Sequence, residues 1–358
     1  MAYPFCGSEK GECRETEGAH GVMQRNRIRR KARARSDIPW FRRLQASPGR
    51  VDAAIAPSYK HPSGQFSCAL HLYGPPLSLS PTRGPTMPLP APSPADLTLL
   101  EQLAGIALAA GVVIRRIETG GINERIKADA SPVTDADQAS EDLICRALAQ
   151  VLPGIPIVAE EATSAGHVVA LGDRFILVDP LDGTREFVSG NGEYTVNIAL
   201  VEGRTPMFGI IYAPAKGLLY AAARGAAFRA VRTPDATVDR DGWAPIRCRP
   251  RPSGAIRVAA SRSHADPQTR ALIDSLSVED CISAGSALKF GLLAEGLVDF
   301  YPRLSPVMEW DSAAGHALVN AAGGQVRKPD GAPLTYGHPE NRFLVNGFIA
   351  EGAPATGA

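Results

Sequence analysis

The run Asp179-Pro180-Leu181-Asp182-Gly183-Thr184 sets two carboxylates three residues apart, followed by a glycine and a hydroxyl. The stretch before it, residues 174–178, is apolar and β-branched, which predicts a buried strand ending at Asp179. Pro180 cannot donate to a sheet ladder, so Leu181 and Asp182 are expected to turn away from that strand. Gly183 lets the backbone approach closely, and Thr184 can open a helix. Carboxylates at a strand end, beside free helix N–H groups, suit hard cations that hold a phosphate. Taken alone, the same residues also read as an Asp-Pro turn with a helix cap.

Two further acidic segments shift that balance. Ile157-Val158-Ala159 is a short apolar run ending in Glu160-Glu161. Downstream, Glu309-Trp310-Asp311 leads into Ala313, Ala314, Ala317, Leu318 and Ala321, whose spacing is that of a closely packed helix. Asp311 falls near its first turn, where the helix dipole favours a carboxylate. A Glu-Glu pair alone is usually a solvated loop, and an early helical Asp is usually a cap. Three acid-bearing segments, two of them closing apolar strands, are harder to explain together as separate caps and loops.

These blocks resemble the signatures of the inositol-monophosphatase superfamily of magnesium-dependent, lithium-sensitive phosphatases. Asp179–Thr184 is similar to its first signature, and Trp310–Gly315, continuing to Gly323-Gly324, to its second. Glu160-Glu161 matches the intervening acidic pair, and Ser131–Asp137 the upstream acidic segment, over about Leu97 to Ile349. Within the superfamily, several stretches resemble the CysQ-type 3′(2′),5′-bisphosphate nucleotidases. They are Lys127–Pro132, Glu186-Phe187, Asn191–Ile198, Ile211–Pro214, Ser261–His264, Gly285–Lys289 and Tyr301–Arg303.

The resemblance implies a layered α-β-α-β-α sandwich, with an N-terminal α+β half and a C-terminal α/β half. It implies two or three Mg²⁺ ions. Glu160, Asp179 and the Leu181 carbonyl would hold the first, and Asp179, Asp182 and Asp311 the second. Glu160 would share in a third. Thr184 with Asp137 would orient and deprotonate the attacking water, while Gly183 and Thr184 N–H groups, Glu160 and Asp311 would meet the substrate. An all-oxygen ligand set argues against zinc.

On the substrate side the residues leave alternatives open. His264 is a nucleotide contact or a plain loop histidine; Ser286 and Lys289, one helical turn apart, are phosphate ligands or a cap plus a solvated lysine. Arg303 offers a bidentate phosphate partner. The resemblance favours substrate contacts at all four. The implied reaction is hydrolysis of adenosine 3′,5′-bisphosphate to AMP, clearing a by-product of sulfate assimilation. Inositol monophosphate, fructose bisphosphate and NADP are alternative substrates, and a non-catalytic metal- or nucleotide-binding regulator is the alternative from another class.

The elements that must position these groups are legible in outline. Leu97, Leu100, Leu103, Ala104, Ala107 and Ala110 give one apolar helix face after a start at Ser93–Asp96. A second helix is entered through Thr134–Asp137, strands follow at 194–200, 207–212, 218–222 and 226–229, and a charged, Pro-rich stretch at 233–252 marks a boundary. The expected division is 1–86, 87–245 and 246–350. With 44% hydrophobic residues in 358, a large core is affordable. No run is read as approaching the ~18–20 apolar residues of a membrane span.

The net charge of +1 hides an asymmetry: residues 1–86 carry 14 Lys and Arg against 6 Asp and Glu, leaving 24 against 31 beyond. An acidic body suits a metal site and a small phosphate ester, and argues against a nucleic-acid partner. The six cysteines show neither CxxC nor zinc spacing, which predicts a reducing compartment. The cytoplasm is expected, with loose attachment to the inner membrane's cytoplasmic face and a homodimer both compatible. Residues 1–86 lack a persistent apolar face, which reads as a disordered basic tail, a transit-like segment or a start upstream of the natural one. A chain beginning at Met87 is therefore expected to stay soluble and active. Aggregation or a lost cooperative melt would show that the extension belongs to the fold.

Overall fold

The computed structural model describes residues 89–126, 132–261 and 266–354. The basic N-terminal segment, the stretch Lys127–Ser131 and His264 lie outside the described residues.

Helix α1 (Pro94–Gly120) begins at a capping box: Asp96 N–H donates to Ser93 Oγ at 3.1 Å, and Ser93 N–H to Asp96 Oδ2 at 2.8 Å. A short antiparallel pair follows, β1 (Glu124–Ile126) and β2 (Pro132–Thr134). Helix α2 (Asp135–Val151) is capped in the same way, with Thr134 at its N-cap and Asp137 reaching back to it. Next come β3 (Ile157–Ala159), the short helix α3 (Glu160–Ser164), β4 (Arg174–Asp182) and the short helix α4 (Thr184–Val188). Strands β5 (Thr195–Glu202), β6 (Thr205–Ala213), β7 (Leu218–Ala223), β8 (Ala226–Val231) and β9 (Ala244–Pro245) complete a seven-stranded sheet in sequential order. Only its β3–β4 pair is parallel.

The second sheet has the order β11-β10-β12-β16-β14, from β10 (Ile256–Ser261), β11 (Val278–Ala284), β12 (Phe300–Arg303), β14 (Gln325–Arg327) and β16 (Phe348–Glu351). A small pair, β13 (Val307–Met308) with β15 (Leu344–Val345), sits outside it. Helices α5 (Pro267–Asp274), α6 (Leu288–Ala294) and α7 (Glu309–Ala321), with a short 3-10 turn at Pro339–Asn341, complete the described elements. Helices α1 and α2 cover one face of the seven-stranded sheet; α7 covers the other and also meets β14. Helix α6 packs on α7, β10 and β12, and α5 on β12. The layering is α-β-α-β-α, as the resemblance implied.

Burial on both faces explains why β5 is apolar without alternation from Ile198 to Val201. Val196, Ile198 and Leu200 join the core beneath α1 and α2, whereas Ala199 and Val201 face the α7 side. Close packing there leaves no room at Gly315, where an added Cβ would meet the Phe290 ring at 2.1 Å.

Two expectations need correction. Strand β4 does not end at Asp179 but continues to Asp182 through a bulge: Asp179 pairs with Asn197 and Asp182 with Thr195. Pro180 is tolerated because β3 stops opposite Val178, so no neighbour on that side needs its N–H. The reading that no segment approaches a membrane span also fails. Helix α1 is long and apolar enough by composition, but half of its most apolar window is buried within the protein.

Helix α7 also buries His316, whose Nδ1 lies 3.1 Å from the Tyr336 hydroxyl. Burial alone pushes its pKa from 6.5 down to about 3. Below about pH 6.5 the unfolded chain takes up a proton that the folded chain refuses. Stability should therefore fall as pH drops from about 6.5 towards 3, and His316→Gln should flatten that part of the profile. Identical slopes for both proteins in urea melts from pH 7 to 4 would show that His316 does not set it.

Candidate active site

The bulge in β4 decides how the two aspartates stand. Residues three apart on a regular strand face opposite sides. One extra residue between Asp179 and Asp182 puts both opposite Asn197 and Thr195, which are two apart and share a face. Both carboxylates thus belong to the face covered by α7, whose first turn carries Asp311. Glu160 begins α3 just past the end of β3, the parallel neighbour of β4. Sheet register and two helix starts gather acids from three distant segments.

Their electrostatics show the gathering. Burial, then the charges of Glu160, Asp182 and Asp311, hold the Asp179 carboxyl well above its usual range, against one N–H bond from Leu181 at 3.0 Å. Asp311 is pushed up to about 7 by burial, Asp182 and Glu160, opposed by Arg303 and by the Met308 N–H. Asp182 is raised by burial, while Lys289, Arg303 and the Asn197 amide (Nδ2 to Oδ2, 3.4 Å) pull it back. Acids whose charges raise the proton affinity of Asp179 and Asp311 form a site short of positive charge. With the Leu181 carbonyl the donors are all oxygen, which fits Mg²⁺. Among the described residues, no three His, Cys, Asp or Glu side chains are already closed around one ion position.

Beside them, Thr184 Oγ1 lies 3.2 Å from Asp137 Oδ1 and 3.5 Å from the Leu181 carbonyl. Asp137 is 1% exposed, and its other oxygen accepts from the Thr134 N–H and hydroxyl, both at 2.7 Å. The pair is aligned from the α2 side by that cap. Gly183 has φ 91°, and a Cβ there would meet Ser286 Oγ at 2.2 Å, so only glycine joins β4 to α4.

The substrate-side expectations fare unevenly. Ser286 does not cap a helix or present a free hydroxyl; it has φ 49° and its Oγ lies 2.8 and 2.7 Å from the Asp182 and Glu193 carbonyls. Lys289 is neither solvated nor open. It is 1% exposed and donates to the Ala284 and Ser286 carbonyls at 3.1 and 2.6 Å. Burial lowers its pKa to about 8, with Arg303 adding to that shift and Asp182, Glu186 and Glu193 opposing it. Arg303 faces the acids, and its Nε is buried without a hydrogen-bond partner. A guanidinium with an unused donor beside the carboxylates has the planar fork that suits a phosphate.

Residues 97–353 match the inositol monophosphatase family. The 3′(2′),5′-bisphosphate nucleotidase CysQ of Escherichia coli O157:H7 is 40% identical over 258 residues, covering 70% of this chain and 98% of that protein. The chain belongs to the inositol monophosphatase family. The CysQ of Buchnera aphidicola is 34% identical over 255 residues, covering 70% of this chain and 93% of its own. The crystal structure of CysQ from Bacteroides thetaiotaomicron superposes with a TM-score of 0.59 at 34% identity, covering 72% of this chain and 97% of that chain. The Thermotoga maritima inositol monophosphatase superposes at 0.57 with 24% identity over 72% and 91%, which speaks for the fold.

Several supporting residues escaped the sequence reading. Glu141 accepts from the Glu161 and Ala162 N–H groups, and Glu309 from those of Gly337 at 2.6 Å and His338 at 3.0 Å. Glu193 accepts from the Gly285 N–H at 2.8 Å. Only Glu141 left a signal, four residues after Asp137 on a helix and so on the same face. The partners of the other two are remote in sequence.

Proposed function

We propose that this chain is a Mg²⁺-dependent phosphomonoesterase that removes the 3′-phosphate of adenosine 3′,5′-bisphosphate, leaving AMP and phosphate. The observation that carries it is the set of charges from Glu160, Asp182 and Asp311 that bears on Asp179, beside the hydrogen-bonded Thr184–Asp137 pair. Glu160, Asp179, Asp182, Asp311 and the Leu181 carbonyl would hold the ions. When bound, Mg²⁺ supplies a nucleophilic water near neutral pH and neutralises charge on the phosphoryl oxygens. The chain's own groups do the rest. Thr184, donating to Asp137, keeps an oxygen lone pair for the attacking water's proton, and Asp137 is anchored to receive it. Arg303 is poised to meet a substrate phosphate, and buried Lys289 offsets the charge of Asp182.

The substrate reading rests on the CysQ relatives named above and on the cations that this site sets beside its acids. The 87–245 portion would supply most of the metal site and the 246–350 portion the substrate contacts, apart from Asp311. The proposed setting is the cytoplasm, on a by-product of sulfate assimilation. A panel at fixed Mg²⁺ tests the reading, with adenosine 3′,5′-bisphosphate, inositol monophosphate, fructose bisphosphate and NADP compared by phosphate release. The bisphosphate should give the highest kcat/KM. A higher value for inositol monophosphate would move the enzyme to another branch, and no Mg²⁺-dependent release from any substrate would end the phosphatase reading.

A further inference from the structure

The helix that presents Glu160 has no cap of its own. Helix α3 follows Ala159, whose side chain can accept nothing, so the first-turn N–H groups need an acceptor from elsewhere. Glu141 supplies it across 20 residues: its Oε2 accepts from Glu161 N–H at 2.7 Å and its Oε1 from Ala162 N–H at 2.8 Å. Both oxygens are used, in a fork that fixes the start of α3 in position and direction. Glu141 is 3% exposed, so this acceptor is shielded from competing water. The carboxylate also lies at the end of α3 where the helix dipole favours a negative charge.

Glu141 stands one helical turn after Asp137, on the same face of α2. That face therefore grips two parts of the site at once: the Thr184 segment through Asp137 and the Glu160 segment through Glu141. Ala159 is 2% exposed and packed in the core beneath the helices, which leaves no space for a local capping side chain.

We propose that Glu141 is a positioning residue that fixes Glu160 for ion binding by capping α3, without itself touching ion or substrate. This rests on the reading of Glu160 as an ion ligand. Removing a group that orients a ligand typically weakens metal binding about 10–100-fold. In Glu141→Gln one oxygen still accepts, but the amide NH₂ confronts the other N–H, so one bond is lost and the volume is kept.

The test is calorimetric titration of the dialysed full-length chain with MgCl₂, for the natural protein, Glu141→Gln and Glu141→Ala, alongside thermal melts without Mg²⁺. The Mg²⁺ dissociation constant should rise at least about tenfold in Glu141→Gln while its melt stays cooperative. Its kcat at saturating Mg²⁺ should recover most of the natural value, because the ion completes the positioning. A dissociation constant within about twofold of the natural protein's overturns the proposal, whatever happens to the melting temperature, since a purely structural cap moves stability alone. Glu141→Gln decides the matter if the alanine variant fails to fold. If the natural protein itself takes up no Mg²⁺, the functional reading falls first, which separates the two failures.

Discussion

Asp182→Asn should lower turnover at least about 10²-fold at saturating Mg²⁺, the scale of removing one preorganised electrostatic group. The half-buried carboxylate raises the pKa of Asp179 and Asp311, while burial together with Glu186 raises its own against Lys289 and Arg303. Its replacement by a neutral isostere relieves repulsion on Asp179 and Asp311. The metal-free variant should therefore melt at the same temperature as the natural chain, or higher. That opposition of effects marks a residue kept for function at the expense of stability. Phosphate release and a metal-free thermal melt check both halves. Near-normal turnover would refute the site, and a sharp drop in melting temperature would make Asp182 part of the scaffold.

Thr184→Val is expected to cost about 10²–10⁴-fold in kcat, the usual contribution of a positioned proton-transfer group. Valine keeps the shape and removes the oxygen that lies 3.2 Å from Asp137. Asp137 keeps its bonds from Thr134, so helix α2 should remain capped and the fold intact. Thr184→Ser restores the hydroxyl and should recover activity to within about tenfold of the natural enzyme. Near-natural activity in the valine variant, with the loss in the serine variant instead, would assign the methyl group's packing, not the hydroxyl, as the reason for threonine here.

Much of this site was legible in the chain because its pieces are local. The spacing of Asp179 and Asp182, the adjacent acids at Glu160, and an aspartate starting the small-residue helix at Asp311 are visible without a fold. The capping boxes at Ser93 and Thr134 were legible for the same reason, since each closes within four residues. Short elements such as β13 and β15 were not, because two paired residues leave no period to read.

The substrate side shows the opposite case. Helical spacing left Ser286 and Lys289 open as phosphate ligands or as a cap with a solvated lysine, and the fold shows neither a free hydroxyl nor a solvated ammonium. Instead Ser286 bends in a left-handed turn before α6 and Lys289 lies buried against carbonyls, a result of what the β4 end and residue Glu193 place around them.

The sequence by itself determined which residue types stand where chemistry needs them, and the alternation of apolar strands and helices that builds a layered α/β core. It carried the family signatures, and with them the choice of oxygen ligands over thiolate or imidazole. Only the tertiary structure decided that Asp179 and Asp182 share a face, because the bulge beside Pro180 adds the residue that ordinary alternation lacks. Only it decided that Glu141 caps the Glu160 helix and that Glu309 anchors the start of the Asp311 helix. Those bonds join residues 20 to 29 positions apart, and no local pattern encodes a partner that the chain reaches only by folding.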